Sequence, residues 1–329
     1  MKIAVVHNIE HSGVINRFGR PNKERYYRQE IDAFIETLKK DKHQVEEFDG
    51  DIYLLSKLKS FLPPIERDKK PEGLIFNLAY GIQGNSRYAH IPAMLEMAGV
   101  AYTGSDPLTH AIALDKEITK RLLLQGGIPT PRFIVVDKET STEMLKKNGL
   151  IFPLIIKPKD EAASFGISVV DDEKELINNV LSTIDEFDQA LVVEEYLNGR
   201  ELNVALIGNG STLEIFDPVE IDFNNSGDRF QSFTGKKTAK YGHICPADIP
   251  EHLSQKLKIL AKKTFNLLKC RDYARVDFRL DANDKPYVLE INSMAAIHRE
   301  GSFFHAAKHA GYDYQGMLHK MINETIDRY

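Results

Sequence analysis

Two consecutive predicted strands near the carboxyl end of the chain, 274–280 and 286–292, carry polar side chains at alternate positions. These polar residues are Arg275, Asp277 and Arg279 on the first strand and Glu290 and Asn292 on the second. Because alternate residues of a strand share a face, a hairpin turn at 281–284 can join the polar faces into one patch. Carboxylate and amide oxygens are hard ligands that suit Mg²⁺. We therefore predict a magnesium site at Asp277, Glu290 and Asn292; the alternative is a charged face exposed to solvent.

A lysine at the end of an apolar strand predicts a second binding feature. Lys157 follows the apolar run 154–156, where an ammonium group buried without a partner is costly. A nucleotide phosphate would supply that partner; the alternative is a lysine that extends its head group to water. The loop of small residues that follows, with Ser164 and Gly166, can surround phosphates with backbone N–H groups.

An acidic segment, 194–197, comes directly after the apolar strand 190–193. Its residues are Glu194, Glu195, Tyr196 and Leu197. The backbone of this segment can bind the edge of an adenine ring, and the carboxylate of Glu201 can bind ribose hydroxyls. The alternative is a solvated acidic turn.

The elements that must position these residues alternate between short strands and helices through residue 105. This alternation predicts an α/β unit with an open, mostly parallel sheet, whose ligands gather at the carboxyl ends of the strands. Two further units combine helices and strands, and the long polar segment 224–242 is expected to be a functional lid or a disordered loop. A chain of 329 residues exceeds one ordinary core. We predict three domains, at 1–105, 106–196 and 197–329.

The composition is that of an ordinary folded protein, with 42% hydrophobic and 28% charged residues. A net charge of −5 provides no basic surface of the kind that dominates nucleic-acid affinity. No apolar stretch reaches the roughly 18 residues of a membrane-spanning helix. The apolar run 3–6 predicts a strand rather than a signal peptide, and two cysteines without CxxC spacing fit a reducing compartment. We expect a cytoplasmic protein that binds neither nucleic acid nor membrane.

Seven short motifs, taken in chain order, add a family resemblance to these features. They are 102–105, 114–116, 156–158, 194–197 with Glu201, 245–247, 274–277 and 289–292. Together they resemble the ATP-grasp superfamily, and most closely its D-alanine:D-alanine ligase branch. The resemblance implies an ATP-grasp fold, in which an N-terminal open parallel-sheet domain precedes two domains that hold the nucleotide between them.

The resemblance also implies roles for single residues. ATP phosphates would be bound by Lys116, Lys157 and a lid lysine, either Lys236 or Lys237. Adenine would be held by 194–197 and ribose by Glu201. Two Mg²⁺ ions, for which Mn²⁺ can substitute, would lie between the phosphates and Asp277, Glu290 and Asn292. Arg275 would stabilise the transferring phosphoryl group and the later oxyanion, with Ser164 and Gly166 as further catalytic residues of the loop.

The chain departs from D-alanine ligases where those enzymes handle amino acids. Ala163 stands where they carry a serine, Tyr80 replaces the histidine of their His-Gly motif, and their Ser-Pro-Gly-Met stretch is absent at 293–298. No counterpart is apparent for the glutamate that receives the first substrate's amine. A basic segment is either an anion site or, more in keeping with such segments, a solvated loop. Its residues are Arg17, Arg20, Lys23, Arg25 and Arg28.

Five residues are predicted to line the substrate pocket, namely Tyr80, Arg87, His298, Gly301 and Ser302. We therefore predict an ATP-dependent, ADP-forming ligase that converts a carboxylate to an acyl phosphate and joins it to an amine. Its small-molecule substrates are expected to be amino acids or short peptides other than D-alanine pairs. The alternatives are an ATP-grasp small-molecule kinase, a D-alanine:D-alanine ligase proper and a non-catalytic nucleotide-binding regulator. A homodimer is expected by resemblance alone.

Overall fold

The computed structural model describes residues 1–9, 21–66, 69–147, 149–224, 226–238 and 240–329, apart from the side chains at 142, 146, 236 and 237. Its N-terminal unit contains the predicted parallel sheet, with strand order β2-β1-β3. The strands are β1 (Lys2–His7), β2 (Gln44–Asp49) and β3 (Gly73–Asn77), and the helices are α1 (Arg28–Lys40), α2 (Leu54–Leu58) and α3 (His90–Ala98). The apolar residues of β1 and β3 are buried, as expected for strands covered by helices on both faces.

The sequence pattern predicts a helix over 24–40, but α1 begins four residues later, at Arg28. The carboxylate of Glu30 accepts a hydrogen bond of 2.7 Å from the backbone N–H of Tyr27, which has an extended backbone. This capping interaction fixes the first turn after Tyr27 and leaves Glu24 in the preceding loop.

The middle unit is a four-stranded antiparallel sheet in the order β4-β7-β5-β6. Its elements are β4 (Phe133–Val136), α6 (Thr142–Lys146), β5 (Leu154–Pro158), β6 (Ser168–Val170), α7 (Glu173–Phe187) and β7 (Leu191–Glu195). Along β5, Leu154 and Ile156 pack with α7 in one core, whereas Ile155 and Lys157 face a cleft on the opposite side. The period-two alternation of the strand therefore separates packing residues from ligand-facing ones.

The third unit is built on a mostly antiparallel sheet in the order β11-β10-β8-β12-β13, with β9 paired to β8. Its strands are β8 (Glu201–Ile207), β9 (Glu214–Ile215), β10 (Val219–Asp222), β11 (Gly242–Ile244), β12 (Tyr273–Leu280) and β13 (Pro286–Asn292). Its helices are α8 (Phe233–Lys237), α9 (Glu251–Leu267), α10 (Ser302–His309) and α11 (Tyr314–Arg328). Alternate residues of β8 pack against α9 on one face and against α10 and α11 on the other.

Two helices connect the units, α4 (Pro107–Leu114) and α5 (Lys116–Gln125). Their residues Ala113 and Leu123 share a core with α9 and the third sheet. A second core joins β1 and β3 to α10 and α11, so the first and third units pack against each other. The division into domains at 1–105, 106–196 and 197–329 stays a proposal. In that division α4 and α5 belong to the second domain, although they pack on the third sheet. No helix of the described chain is long and apolar enough to cross a membrane.

Candidate active site

The hairpin of β12 and β13 brings its polar residues together as the strand periodicity predicts. Asp277 lies opposite Glu290, and Arg275 lies opposite Asn292. The guanidinium of Arg275 donates to both oxygens of Asp277, at 2.6 and 2.7 Å, and the amide nitrogen of Asn292 donates to Asp277 at 2.9 Å. Since Asn292 turns its nitrogen toward Asp277, its carbonyl oxygen is the group suited to a cation. Two carboxylates and one amide oxygen fit Mg²⁺, so the donor set is compatible with the predicted metal.

A β-bulge changes which residues of this hairpin face the cleft. Phe278 pairs with Val288, whereas Asp277 pairs with Glu290, which leaves Leu289 as the extra residue. Leu289 and Glu290 both line the cleft between the second and third sheets. Strict alternation along β13 predicts that Leu289 lies on the face opposite Glu290 and Asn292. This prediction is wrong, because the bulge interrupts the alternation of side chains.

Arg275 remains a cation inside the protein. Burial lowers the pKa of its guanidinium, but the adjacent Asp277 carboxylate more than offsets that effect and holds the pKa above the usual range. A fixed positive charge thus lies beside the candidate metal ligands, where it can stabilise negative charge that develops on a reacting group.

The nucleotide cleft is the space between the second and third sheets. Its lining includes Ile155, Lys157, Ser164, Ile167, Glu194, Glu195, Tyr196, Leu197, Glu201, Phe230, Asp277, Arg279, Leu289 and Glu290. Apolar and charged side chains thus alternate around one space, as a purine and its phosphates require. Among the residues that the structure describes, four predicted nucleotide, metal or catalytic residues are outside this lining, namely Lys116, Gly166, Arg275 and Asn292.

The side chain of Glu194 has a structural role that the sequence did not predict. Its side chain is fully buried, forms a short ion pair with Lys157 and lies 2.5 Å from Lys120, which also donates to Thr130 at 2.8 Å. Burial raises the pKa of Glu194, but Lys120 and Lys157 together lower it below its ordinary value. The side chain therefore anchors two lysines and is not available to adenine.

Lys120 is a residue that sequence reasoning missed. It lies on the buried face of α5 with Lys116, Thr119 and Leu123. That face follows the i, i+3, i+4, i+7 spacing of a packed helix side, which was the available signal. A lysine on such a face requires a buried acid, and Glu194 supplies it.

The loop 159–166, here called the phosphate loop, is held by two cations. Lys116 donates to the backbone carbonyl of Glu161 through a short hydrogen bond, and burial lowers the pKa of its ammonium group. Arg87 donates to the carbonyl of Asp160 at 2.7 Å and to the carboxylate of Glu161 at 3.3 Å. Arg87 is 4% exposed and does not line the substrate cavity, so we revise its predicted role from substrate contact to positioning of this loop.

Three residues of the phosphate loop have positive φ angles, with values of 53° at Ala163, 64° at Ser164 and 68° at Gly166. Successive residues of this kind turn backbone N–H groups into a concave anion site. Ser164 lines the nucleotide cleft. A Cβ atom at Gly166 would lie 2.6 Å from both Phe187 and Pro158, so glycine is required there by space as well as by φ.

The far end of the cleft is organised by Arg279, to which sequence reasoning gave no role. Its guanidinium donates to Glu201 at 2.9 Å and to the hydroxyl of Tyr196 at 2.7 Å. Tyr196 in turn donates to the carbonyl of Arg229 at 2.5 Å. This network fixes the carboxylate that is predicted to bind ribose and connects it to the polar segment 224–242.

The segment 224–242, here called the lid segment, contains the short helix α8 and contacts the phosphate loop. The ring of Phe233 packs on Phe165 with centroids 4.2 Å apart, and Arg229 pairs with Asp171 at 2.8 Å. Lys236 and Lys237 lie on α8, but their side chains are outside the described part of the structure. Their predicted contact with ATP stays a prediction.

A second cavity, the acceptor cavity, opens beside the nucleotide cleft and encloses about 1420 Å³, including its mouth. Its lining contains the predicted residues Tyr80, His298, Gly301 and Ser302, together with Arg275, Glu290 and Asn292. Glu290 also lines the nucleotide cleft, so the candidate metal ligands lie at the junction of the two spaces. Gly301 is the N-cap of α10.

Glu24, His243 and His305 also line the acceptor cavity, although sequence reasoning did not select them. Glu24 accepts a short hydrogen bond from the hydroxyl of Tyr88, and it supplies an acid where the sequence showed no counterpart of the amine-binding glutamate. The rings of His243 and His305 lie 5.1 Å apart. Burial, with His305 and Arg275 nearby, lowers the pKa of His243 to about 4, so this imidazole is neutral at pH 7.

The basic segment before α1 contributes little to either space. Arg28 pairs with Glu47, and Arg25 donates to the carbonyl of Ile9 at 3.0 Å. The ammonium group of Lys23 lies 5.8 Å from the ring centre of Phe165, at the phosphate loop. Arg17 and Arg20 lie outside the described residues. Local pairing of Arg25 and Arg28 favours the solvated-loop interpretation.

Known proteins with similar sequences and folds include ATP-dependent ligases. Residues 122–323 match the family described as D-ala D-ala ligase C-terminus. A Sinorhizobium fredii protein of uncharacterised function is 39% identical over 100% of this chain and 98% of its own length. The D-alanine–D-alanine ligase of Moorella thermoacetica is 31% identical over 87% of this chain and 89% of its own. The fold matches that of the Bacillus anthracis D-alanine–D-alanine ligase complexed with ATP, with a TM-score of 0.74 and 24% sequence identity. The match covers 100% of this chain and 98% of the ligase.

Proposed function

Because the chain belongs to the D-alanine–D-alanine ligase family of ATP-grasp enzymes, which are ATP-dependent, ADP-forming carbon–nitrogen ligases, we propose that it joins a small carboxylate to an amine through an acyl phosphate. One observation carries this proposal. The group Arg275, Asp277, Glu290 and Asn292 lies where the nucleotide cleft meets a second cavity. A phosphoryl group that leaves ATP at this junction is delivered directly to a substrate in the acceptor cavity.

Nucleotide binding is assigned to the walls of the cleft. The backbone of 194–197 holds adenine, Glu201 with its partner Arg279 holds ribose, and Lys116 and Lys157 bind phosphate oxygens. Lys116 and Lys157 lie at protein carbonyl and carboxylate oxygens that phosphate oxygens can replace. Lys236 or Lys237 of the lid segment completes the set.

Asp277, Glu290 and Asn292 would hold Mg²⁺, as two ions or with Mn²⁺ as a substitute. Bound there, the metal neutralises charge on the phosphates of ATP. Arg275 adds a positive charge from the side of the acceptor cavity. The protein therefore contributes position and charge rather than a nucleophile of its own.

The proposed reaction has two balanced steps. A carboxylate oxygen of the first substrate attacks the γ-phosphorus of ATP, the bond to the bridging oxygen breaks, and ADP leaves. The amine of the second substrate then attacks the acyl carbon, and the resulting tetrahedral oxyanion is stabilised by Arg275. The carbon–oxygen bond to phosphate breaks, phosphate departs, and the amine loses a proton to give a neutral amide.

The substrates are proposed to be amino acids or short peptides other than a pair of D-alanines. Glu24, Gly301 and Ser302 line the acceptor cavity. Glu24 would receive an ammonium group, and the N-terminus of α10 at Gly301 and Ser302 would receive a carboxylate. Ala163, His243 and His305 are side chains that a larger substrate can contact.

The decisive assay incubates the protein with ATP, Mg²⁺ and a panel of amino acids and dipeptides, and measures ADP, phosphate and product mass together. A ligase gives ADP, phosphate and an amide in equal amounts. A phosphorylated product without amide would identify a small-molecule kinase instead, and efficient D-alanyl-D-alanine synthesis would overturn the substrate proposal. We further propose that the enzyme works in the cytoplasm, where ATP is available, and as a homodimer.

A further inference from the structure

Three side chains that commonly bind metals converge far from the nucleotide cleft, where the end of α1 meets α11. Asp41 caps the end of α1, His43 follows just before β2, and His319 lies on α11. One ligand atom from each residue lies within 4.8 Å of the others. Ligand atoms in a tetrahedral zinc site are about 3.3 Å apart, given metal–ligand bonds of about 2.0 to 2.1 Å. Small side-chain rotations are therefore enough to place all three around one ion.

Two polar atoms at the centre of this group are shielded from solvent. The side chain of Asp41 is 9% exposed. Its Oδ2 atom forms a short ion pair with Nε2 of His319, and within the described part of the chain neither atom has a further hydrogen-bond partner. When the imidazole of His319 is neutral, its Nε2 atom and the carboxylate oxygen can both bind one cation.

The charge of Asp41 is also less compensated than that of comparable carboxylates. Its other oxygen accepts a hydrogen bond from the neutral amide of Gln315. Within the described residues, no lysine or arginine lies in ion-pair distance of Asp41. Two other carboxylate–imidazole pairs have such a cation. The carboxylate of Asp217, which contacts His309, also binds Lys258 at 2.5 Å. The carboxylate of Glu47, which contacts His7, also binds Arg28.

We propose that Asp41, His43 and His319 bind a divalent transition metal, with Zn²⁺ as the preferred ion. Two imidazoles and one carboxylate are a ligand set typical of zinc, and water completes the coordination. A hard cation such as Ca²⁺ prefers six or more oxygen ligands and is not expected to bind there. The bound ion ties the end of α1 in the N-terminal unit to α11 in the third unit. The proposal is independent of the reaction at the active site.

The test is a calorimetric titration of tag-free protein with ZnCl₂, with excess Mg²⁺ and a non-hydrolysable ATP analogue occupying the active site. The variants are His319→Gln and His43→Gln. The matched control is His309→Gln, which removes the imidazole of the pair that has Lys258 as a third partner. We expect one zinc site in wild type and in His309→Gln, with affinity lowered at least about tenfold in the two site variants.

Two further readouts keep the result interpretable. Thermal unfolding without metal shows whether each variant folds, and Zn²⁺ should raise the melting temperature of wild type and His309→Gln only. Co²⁺ bound in place of Zn²⁺ should give visible absorption bands of a four-coordinate site in wild type that weaken in His43→Gln. The proposal would be overturned if wild type did not bind zinc stoichiometrically, or if folded His43→Gln and His319→Gln bound zinc as tightly as wild type.

Discussion

The guanidinium of Arg275 binds both carboxylate oxygens of Asp277, at 2.6 and 2.7 Å, from a position two residues earlier on the same strand. Asp277 is also a proposed metal ligand, so a bound metal and the guanidinium would share one carboxylate. This arrangement places the cation of Arg275 next to the phosphates that the metal would bind. It also makes the geometry of the guanidinium, and not its charge alone, important for the reaction.

Arg275→Lys is expected to lower kcat by about 10²-fold while leaving the affinity for Mg²⁺ unchanged or tighter. Lysine keeps the charge but loses the planar fork that binds Asp277 and stabilises an oxyanion. Steady-state kinetics at varied Mg²⁺ concentration measure both quantities. Arg200→Lys is the matched control, since Arg200 binds Glu220 in the same two-pronged way outside the lining of either cavity. Equal activity of the two variants would remove Arg275 from the mechanism.

Glu194→Gln is expected to destabilise the protein by about 3 to 5 kcal/mol, because it leaves Lys120 and Lys157 buried without a carboxylate. Chemical denaturation at pH 7 measures the loss. The neighbouring change Glu195→Gln removes a partly exposed pair with Arg132 and should cost at most about 1 kcal/mol. Equal effects of the two substitutions would contradict the buried lysine–glutamate cluster.

The stability that Glu194 supplies should depend on pH in one direction. Lys120 and Lys157 hold the pKa of the folded Glu194 below its ordinary value, so the folded state binds its proton less readily than the unfolded state. The contribution is therefore present above the unfolded pKa of about 4.3 and is lost as the pH falls through the lower folded pKa. The difference in unfolding free energy between wild type and Glu194→Gln should shrink below about pH 4 and stay constant from pH 6 to 8.

Gly166→Ala should weaken ATP binding by about tenfold or more, because the added Cβ meets Phe187 and Pro158 at 2.6 Å and displaces the phosphate loop. Gly127→Ala provides the control, since Gly127 also has a positive φ, 65°, but nothing lies within 4 Å of its added Cβ. Both variants carry backbone strain, and only the first one moves the loop. Nucleotide titrations that gave the same affinity for both variants would show that the loop does not set ATP binding.

Replacing Lys236 and Lys237 together by alanine should raise the dissociation constant for ATP and lower the rate. The contact between Phe233 of α8 and Phe165 brings this part of the lid segment to the phosphate loop. The matched control is Lys262→Ala with Lys263→Ala, a pair of adjacent exposed lysines on α9. If both double variants bound and turned over ATP like wild type, the lid assignment would be lost.

Strand periodicity was sufficient to predict the hairpin patch, because the side chains of Asp277, Glu290 and Asn292 are placed by local geometry. The period-two prediction failed at Leu289, where a bulge adds one residue to β13. No glycine, proline or other turn residue marks the bulge in the sequence. Periodicity also indicated where Lys157 would lie. The fold class followed from the order of the elements and from the resemblance, and the related ligase structures confirm it.

Residues brought together only by tertiary packing could not be found in this way. Glu24 reaches the acceptor cavity from a loop before α1, while His243 comes from β11 and His305 from α10. No local pattern links these three segments. Lys120 was overlooked for a different reason, since a lysine on an amphipathic helix is usually at the surface. Its buried partner Glu194 lies 74 positions later in the chain, on β7 of the second sheet.

The acyl phosphate is the central claim, and oxygen-18 transfer tests it most directly. The first substrate, identified in the substrate panel, is labelled with oxygen-18 in its carboxylate and converted in the presence of ATP, Mg²⁺ and the amine. Because the attacking carboxylate oxygen leaves with the phosphoryl group, each phosphate released should carry one labelled oxygen, seen by phosphorus NMR or mass spectrometry. Unlabelled phosphate accompanying amide formation would contradict this mechanism.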